Sequence, residues 1–289
     1  PEALFFIKYE FWFNLMHQLA KNQIPFYFVS TIFRKSQLFF KPWGSWFAKK
    51  LKEASFFFVQ NDDSEKLLHS IGIHQVEITG DTRFDRVNKI ASQSVSLNFM
   101  EQFQGKSELL IAGSTWLPDE QLLAQLFPSL PNHYKLVIAP HQIDNKHIQE
   151  IEHLFKEFNT IRYSKIKETN LEQYQVLIVD TIGLLSKLYR YGRVAYIGGG
   201  FETGLHNILE AVVFGIPVFF GTKYQKFNEA VTLVNRRGAF SVNNSHEMLQ
   251  KMLFFDSNQE EYKKVGYLCR KYVEENLGAT EKVIKRVFY

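Results

Sequence analysis

The stretch GGGFETGLHNILEAVVFG, residues 198–215, decides how this chain is read. Before it, RVAYIG (193–198) is apolar, rich in β-formers and ended by glycine, which predicts a buried strand. After it, Leu205 to Phe214 carries apolar residues at helical spacing, and Gly215 with Pro217 predicts the helix end and a further strand, IPVFFG. Strand, glycine loop, helix and strand in succession predict a parallel-sheet α/β fold, where ligands sit beyond the carboxyl ends of the strands. Gly198, Gly199, Gly200 and Gly204 would let another group approach the backbone, and the helix N-terminus expected at Gly204 would favour an anion. Asn207 and Glu210 stand three residues apart on one helical face. Glu210 is therefore a candidate acceptor for sugar hydroxyls, although a capping Asn207 and a solvated Glu210 fit the spacing equally well.

The 289 residues leave room for two α/β domains, and a 45% hydrophobic content supports a sizeable core. Aromatic residues are abundant, with 28 Phe and 13 Tyr. A net charge of +4 is too mild for a nucleic-acid binder, which concentrates Lys and Arg on one element. One cysteine, Cys269, excludes an internal disulfide and a thiolate metal cluster; it reads as an ordinary helix residue in a reducing compartment. The sequence holds no apolar run of about 18 residues, no signal peptide, and no HExxH, nucleophile-elbow or Walker motif. It opens on PEALFFIKYEFW, directly on an apparent strand and without methionine, so an N-terminal portion is expected to be absent.

In chain order, a strand at 3–7 and a helix at 11–21 lead to the strand PFYFVS. The segment 32–58 then interleaves Phe33, Phe39, Phe40, Trp43 and Trp46 with Arg34, Lys35 and further lysines. Such a segment can lie on an anionic membrane surface, or can be a core-facing helix with a solvated basic side. After the strands SFFFVQ and QVEITG comes GDTRFDRV, where Arg83 stands between Asp81 and Asp85. It reads either as a surface cation paired with its neighbours or as a cation facing an interdomain cleft. Residues 91–107 are polar and Ser/Gln-rich, and a boundary is placed there, dividing 1–95 from 96–289, with the last helices available to pack back on the first domain. A second alternation follows through ELLIAG, YKLVIAP, IRY and QVLIVD. The strand ends carry Ser114 and Thr115, then Pro140 and His141, then Thr181, on the same rim as Gly200 and Asn207, which argues for one shared site. Ser114 and Thr115 would donate to a phosphate or cap the following helix.

Together these motifs resemble the 3-deoxy-D-manno-octulosonic acid (Kdo) transferases. KYEFWFN looks like that family's E-L-W-P-N, GDTRFD like G-N-x-K-F-D, IAPHQ like A-P-R-H, VDTIGLL like D-T-x-G-E-L and GLHNILEA like G-G-H-N-P-L-E, while GSTW matches directly. The resemblance covers essentially the whole chain. It implies the GT-B fold, two Rossmann-like domains with parallel sheets facing across a cleft, the N-terminal one incomplete here. It implies CMP-Kdo as donor, a lipid A precursor (lipid IVA) as acceptor, an inverting transfer without a metal or other cofactor, and a place on the cytoplasmic face of the inner membrane. By motif, Ser114, Thr115, Pro140, His141, Ile182, Gly183, Leu184, Gly204 and Asn207, Ile208, Leu209 and Glu210 fall where the family binds the donor, and Glu10 and Arg83 where it stabilises the transition state. Arg34, Lys35, Phe39, Phe40, Trp43 and Trp46 would meet the acceptor or an anionic membrane surface; nucleic acid is not an expected partner. The departures are His141 for the family's arginine, Leu184 for glutamate, and Leu205 and Ile208 for glycine and proline. The family's catalytic base lies in a G-E-x-S-x-G-E segment without a counterpart here, so these residues alone are expected to bind CMP without efficient transfer, and a longer parent to be a transferase. The competing readings are another GT-B enzyme using a UDP- or GDP-sugar and a noncatalytic membrane-surface module. A dehydrogenase fits less well, because GGGFETG breaks GxGxxG and the next strand ends in Phe220 and Gly221 instead of an acid.

Overall fold

Four short runs, too short for helices and largely apolar, build the first sheet. They are β1 (Leu4–Ile7), β2 (Phe26–Thr31), β3 (Phe56–Val59) and β4 (Val76–Ile78), parallel and in that spatial order. The structure is a computed structural model that describes residues 1–93, 96–167, 169–202 and 204–289. Its chain divides into two units, Pro1–Arg86 with Glu275–Tyr289, and Val87–Glu274. The boundary expected at 95/96 touches residue 95, which lies outside the described residues.

In the first unit the phenylalanines explain themselves. Phe6, Phe28 and Phe57 occupy paired positions on three neighbouring strands, and their rings stack with centroids 5.0 Å apart at each step. Met16 and Leu19 of the helix Phe13–Lys21 and Phe33 close over this face. The opposite face, carrying Tyr27, Val29, Phe56 and Phe58, is covered by Val283 and Val287 of the last helix, Ala279–Phe288. That helix is tied down by Asp85, whose two carboxylate oxygens accept from the backbone N–H of Gly278 and of Thr280, both at 2.7 Å. Asp85 is thus spent on a distant helix N-terminus instead of on Arg83.

Strand runs of the same kind, with β6 of the long central pair buried throughout and β5 buried except at Glu108 and Ser114, form the second sheet: β5 (Glu108–Thr115), β6 (Tyr134–Pro140), β7 (Thr160–Arg162), β8 (Val176–Ile178), β9 (Gly192–Ile197), β10 (Val218–Phe220) and β11 (Ala239–Ser241). The order is β11-β10-β9-β5-β6-β8-β7, and every pairing is parallel. From β5 the chain builds outward through β6, then returns after β8 to lay β9 on the other side of β5. The order therefore reverses between β5 and β9, which in an open parallel sheet is where a crevice opens at the carboxyl ends. At that end β5 carries a bulge: Ser114 has φ +54° and the register with β6 shifts between Gly113 and Thr115. The first sheet repeats the device at Ser30, with φ +55° and a shift between Val29 and Thr31.

The segment 91–107, expected as a polar connection, contains the helix Asn98–Gln104, which buries Met100 and Phe103. Two apolar residues at an i, i+3 spacing were enough to seat one helical face. Among the described residues no helix is long and apolar enough to cross a membrane.

Candidate functional site

The carboxyl ends of β5, β6 and β9 bring together the GSTW, APH and GGGFETGLHN segments, all within the second unit. Its glycine loop differs from the expected form. The helix spans Leu209–Val212 only, so Gly204, at φ +102°, lies in irregular backbone five residues before it and not at a helix N-terminus. The close approach that the glycines permit is made by the protein's own backbone. A Cβ on Gly198 would fall 2.2 Å from the Ser114 carbonyl oxygen, one on Gly200 2.5 Å from the Gly221 nitrogen, and one on Gly199 2.3 Å from the Gly204 carbonyl oxygen. The N–H groups of Gly198 and Gly204 donate to Gly113 and Gly199 carbonyls at 2.9 Å each. Gly198, Gly199 and Gly200 are packed against neighbouring backbone, and the N–H groups of Gly198, Gly199 and Gly204 are taken by the protein's own acceptors.

Asp119 holds that loop. Its buried carboxylate accepts from the N–H of Gly199 at 2.9 Å, the N–H of Trp116 at 3.0 Å and the Tyr196 hydroxyl at 2.7 Å. Burial raises its pKa, and these three donors oppose the shift. Beside it, Glu120 is fully buried; one oxygen accepts from the Thr115 hydroxyl at 2.8 Å and faces His147 Nε2 at 3.1 Å, while the other has no hydrogen-bond partner among the described residues. Burial raises the Glu120 pKa as well, with the His147 charge acting against it. Both acids stand in the first turn of the helix Leu117–Leu126, but only Asp119 acts as a cap, and it reaches into the loop at the same time.

Three rings stack at the rim. Trp116 lies 4.6 Å from His141, and His141 4.6 Å from His206, at interplanar angles of 26° and 29°. Trp116 Nε1–H donates to His206 Nε2 at 3.1 Å, so a neutral His206 carries its proton on Nδ1. Burial, and then the neighbouring His141, lower the His206 pKa. Neither Trp116 nor His206 stood among the expected site residues; each sat inside a quoted motif, and only the fold brings them together.

The expected donor-site residues divide by exposure. His141 is exposed at the end of β6, and Ser114 is half-buried at the bulge. Ile182 is 84% exposed, and a Cβ added to Gly183, at φ +92°, would meet nothing within 4 Å, so this loop beyond β8 is open; Leu184 beside it is half-buried. Asn207 Nδ2 donates to Glu210 Oε1 at 3.2 Å, joining the expected polar pair, and both are half-buried. Three residues change role. The Thr115 hydroxyl is committed to Glu120 in the core, and the side chains of Ile208 and Leu209 are fully buried, so they support the site from beneath. Pro140 is likewise buried at its strand end.

In the first unit, Asp81 is the hub. It is 4% exposed and its Oδ2 receives Arg83 Nε at 2.8 Å, Arg83 Nη2 at 2.8 Å, Lys8 Nζ at 3.3 Å and Gln60 Nε2 at 3.2 Å. Arg83 is thereby fixed in direction while about a quarter of its side chain, 27%, stays exposed. Glu10 is exposed in the turn after β1. In the aromatic and basic segment, Arg34, Lys35, Trp43 and Trp46 are exposed and Phe40 is half-buried. Phe39 is a correction: it packs in the core against Phe11 and Phe13 and cannot meet a surface.

Comparison with known proteins adds to this geometry. Residues 1–86 match the family described as 3-Deoxy-D-manno-octulosonic-acid transferase (kdotransferase). A bifunctional glycosyltransferase/methyltransferase of Fusobacterium nucleatum is 25% identical over 99% of this chain and 45% of its own length. The 3-deoxy-D-manno-octulosonic acid transferase of Aquifex aeolicus is 27% identical over 91% of this chain and 68% of its own. The chain thus spans between about half and two thirds of these relatives. Among solved structures, the C-terminal CMP-Kdo binding domain of WaaA from Acinetobacter baumannii covers 66% of this chain and 97% of its own, with a TM-score of 0.54 at 20% identity. Two parallel-sheet α/β units with such a neighbour define a GT-B-like fold. These likenesses make the chain similar to the Kdo transferases, by the family model over residues 1–86 and by the curated relative over 91% of the chain.

Proposed function

We propose that this protein is a glycosyltransferase that moves Kdo from CMP-Kdo to a lipid A precursor such as lipid IVA, with inversion and without a metal. The observation that carries the reading is the switch point of the seven-stranded sheet, where Ser114, His141, His206 and the Asn207–Glu210 pair gather on ends of strands or on loops that Asp119 braces. In this reading the second unit binds the donor. Glu210, oriented by Asn207, accepts hydrogen bonds from the ribose hydroxyls, and the exposed His141 meets the phosphate in place of the family's arginine.

In the transfer, the acceptor hydroxyl attacks the anomeric carbon, the bond from that carbon to the phosphate oxygen breaks, and CMP departs with the electron pair. The hydroxyl proton passes to a carboxylate base. Negative charge grows on the departing phosphate, and a cation fixed in advance stabilises it without reorganising. Arg83 suits that role because Asp81 already holds its guanidinium, and Glu10 is assigned to the same step on the family resemblance. Trp43 and Trp46, with Arg34 and Lys35 exposed nearby in sequence, suit contact with an acceptor embedded in the cytoplasmic face of the inner membrane.

The test is a titration of CMP into the chain, with UMP and NAD as controls. Saturable CMP binding is expected, at least about tenfold tighter than UMP, and Glu210→Ala should weaken it by about tenfold or more, or about 1.4 kcal/mol. A second arm adds anionic vesicles, which should retain the chain until Trp43 and Trp46 are both changed to Ser. A folded chain that ignores CMP would sink the donor assignment, and UMP preference would move it to another nucleotide sugar.

A further inference from the structure

A hollow of about 830 Å3 opens beside β11, the edge strand that stands three places from β5 in the sheet order. None of the candidate donor-site residues is among its described lining residues, and its occupant is inferred independently of the nucleotide reading. Its floor is apolar, made by Phe240, Phe255, Val265 and Leu268. Its rim carries Arg236, Arg237, Lys251 and Lys264, against one carboxylate among the described lining residues, Glu261. Glu261 pairs with Lys264 at 3.0 Å. Arg236 lies over the Tyr272 ring at 5.4 Å, at the carboxyl end of the helix Asn228–Asn235, where a cation is favoured on its own account. With the Glu261–Lys264 pair neutral, Arg237 and Lys251 contribute net positive charge at the mouth. Lys251 Nζ sits 5.0 Å over the Phe240 ring, which places an ammonium directly above the apolar floor. Phe254 stands at the mouth with 47% of its surface exposed. An adjoining hollow of about 460 Å3 shares Ser241, Lys251 and Phe254.

Shape and charge choose the occupant. A concave space of this volume is within the usual range for small-molecule sites, about 300–1,000 Å3, whereas a protein partner needs an extended face. An apolar floor alone would accept any greasy group; an excess of cations at the rim selects one that carries a negative charge. We propose that this hollow binds an amphipathic anion, an aromatic or acyl group filling the floor and bearing a phosphate or carboxylate that reaches Arg237 and Lys251. The bond is non-covalent and charge-assisted, and its two halves are separable by experiment.

The probe is 1-naphthyl phosphate, titrated into the full chain by fluorescence, with 1-naphthol and inorganic phosphate as half-ligands. Saturable binding of the naphthyl phosphate is expected, at least about tenfold tighter than either half-ligand. Lys251→Glu and Arg237→Glu, both at the rim, should each weaken it about tenfold, and Phe254→Asp should do so separately, with circular dichroism unchanged in all three. Excess CMP should leave it in place. The proposal is overturned if the wild-type chain shows no saturable binding, if the three variants bind as the wild type does, if CMP competes, or if sedimentation shows that Phe254→Asp merely dissolves a self-association of the chain through this face.

Discussion

At the scale of single residues, His206 is the most informative side chain. Its Nε2 must stay unprotonated to accept from Trp116, and burial with the adjacent His141 keeps its pKa low. The folded chain therefore holds the His206 proton less tightly than the unfolded chain does. The stability so contributed is full above the ordinary value of 6.5 and is lost as pH falls through the lower folded value. Protonation would also turn the acceptor of the Trp116 bond into a donor and set a cation against the indole. Tryptophan emission is expected to fall in a single step centred below pH 6.5, and the step should vanish in His206→Gln. An identical step in the variant would show that His206 does not cause it. None of this was readable in advance, because a histidine beside an asparagine has no period, and its indole partner lies in a distant part of the chain.

At the scale of elements, strands were legible and the glycine loop was only half so. Continuous apolar runs bounded by Gly, Pro or Asn located the strands of both sheets, because strands buried on both faces leave no other pattern to confuse them with. The helix expected from Leu205 to Phe214 is shortened to Leu209–Val212, since Leu205 is buried without helical backbone while Gly204 turns the chain at positive φ. The glycines were rightly singled out, but the group that approaches them is the chain itself. Gly198→Ala should therefore act on stability before it acts on any ligand. Its methyl would sit 2.2 Å from the Ser114 carbonyl oxygen and 2.6 Å from Thr115 Cα, both backbone atoms at the β5 bulge. A loss of about 1–3 kcal/mol is expected, the range for overpacking. Gly183→Ala meets no neighbour and should cost only the strain of its φ, about 1–2 kcal/mol. Chemical denaturation of the two variants checks the order; a harmless Gly198→Ala would mean that the bulge yields, and that the loop is not held by this contact.

At the scale of the whole molecule, the sequence order and the structural units disagree in one place, and that disagreement has an energetic consequence. Residues 275–289 belong to the first unit although they follow the second in sequence. The last helices are expected from the sequence to be available to pack back on the first domain; in the structure the helix Ala279–Phe288 belongs to the first unit, its apolar stripe being one wall of a core whose other wall is a sheet near the start of the chain. Val283 packs with Val29 and Phe58, Arg286 lies 4.9 Å over the Phe56 ring, and Asp85 holds the helix start through two backbone N–H groups. Removing residues 275–289 would bare an aromatic sheet face that no other described element is seen to cover. Counting only one buried side chain at ~1.5–3 kcal/mol and one hydrogen bond to a charged group at ~1.5–3 kcal/mol, the first unit should lose at least roughly 3–6 kcal/mol. The second unit keeps its own seven strands and should lose little. Hydrogen exchange resolved by peptide is the measurement: in the truncated chain, amides of β1 to β3 should exchange at least about a hundredfold faster while those of β5, β6 and β9 stay protected, and Asp85→Ala should move the same amides in the same direction by less. If β5 and β9 lose protection together with β1 to β3, the two units unfold as one and the last helix stabilises the molecule as a whole; if neither set changes, the sheet face is stable without its cover and the assigned packing carries no stability.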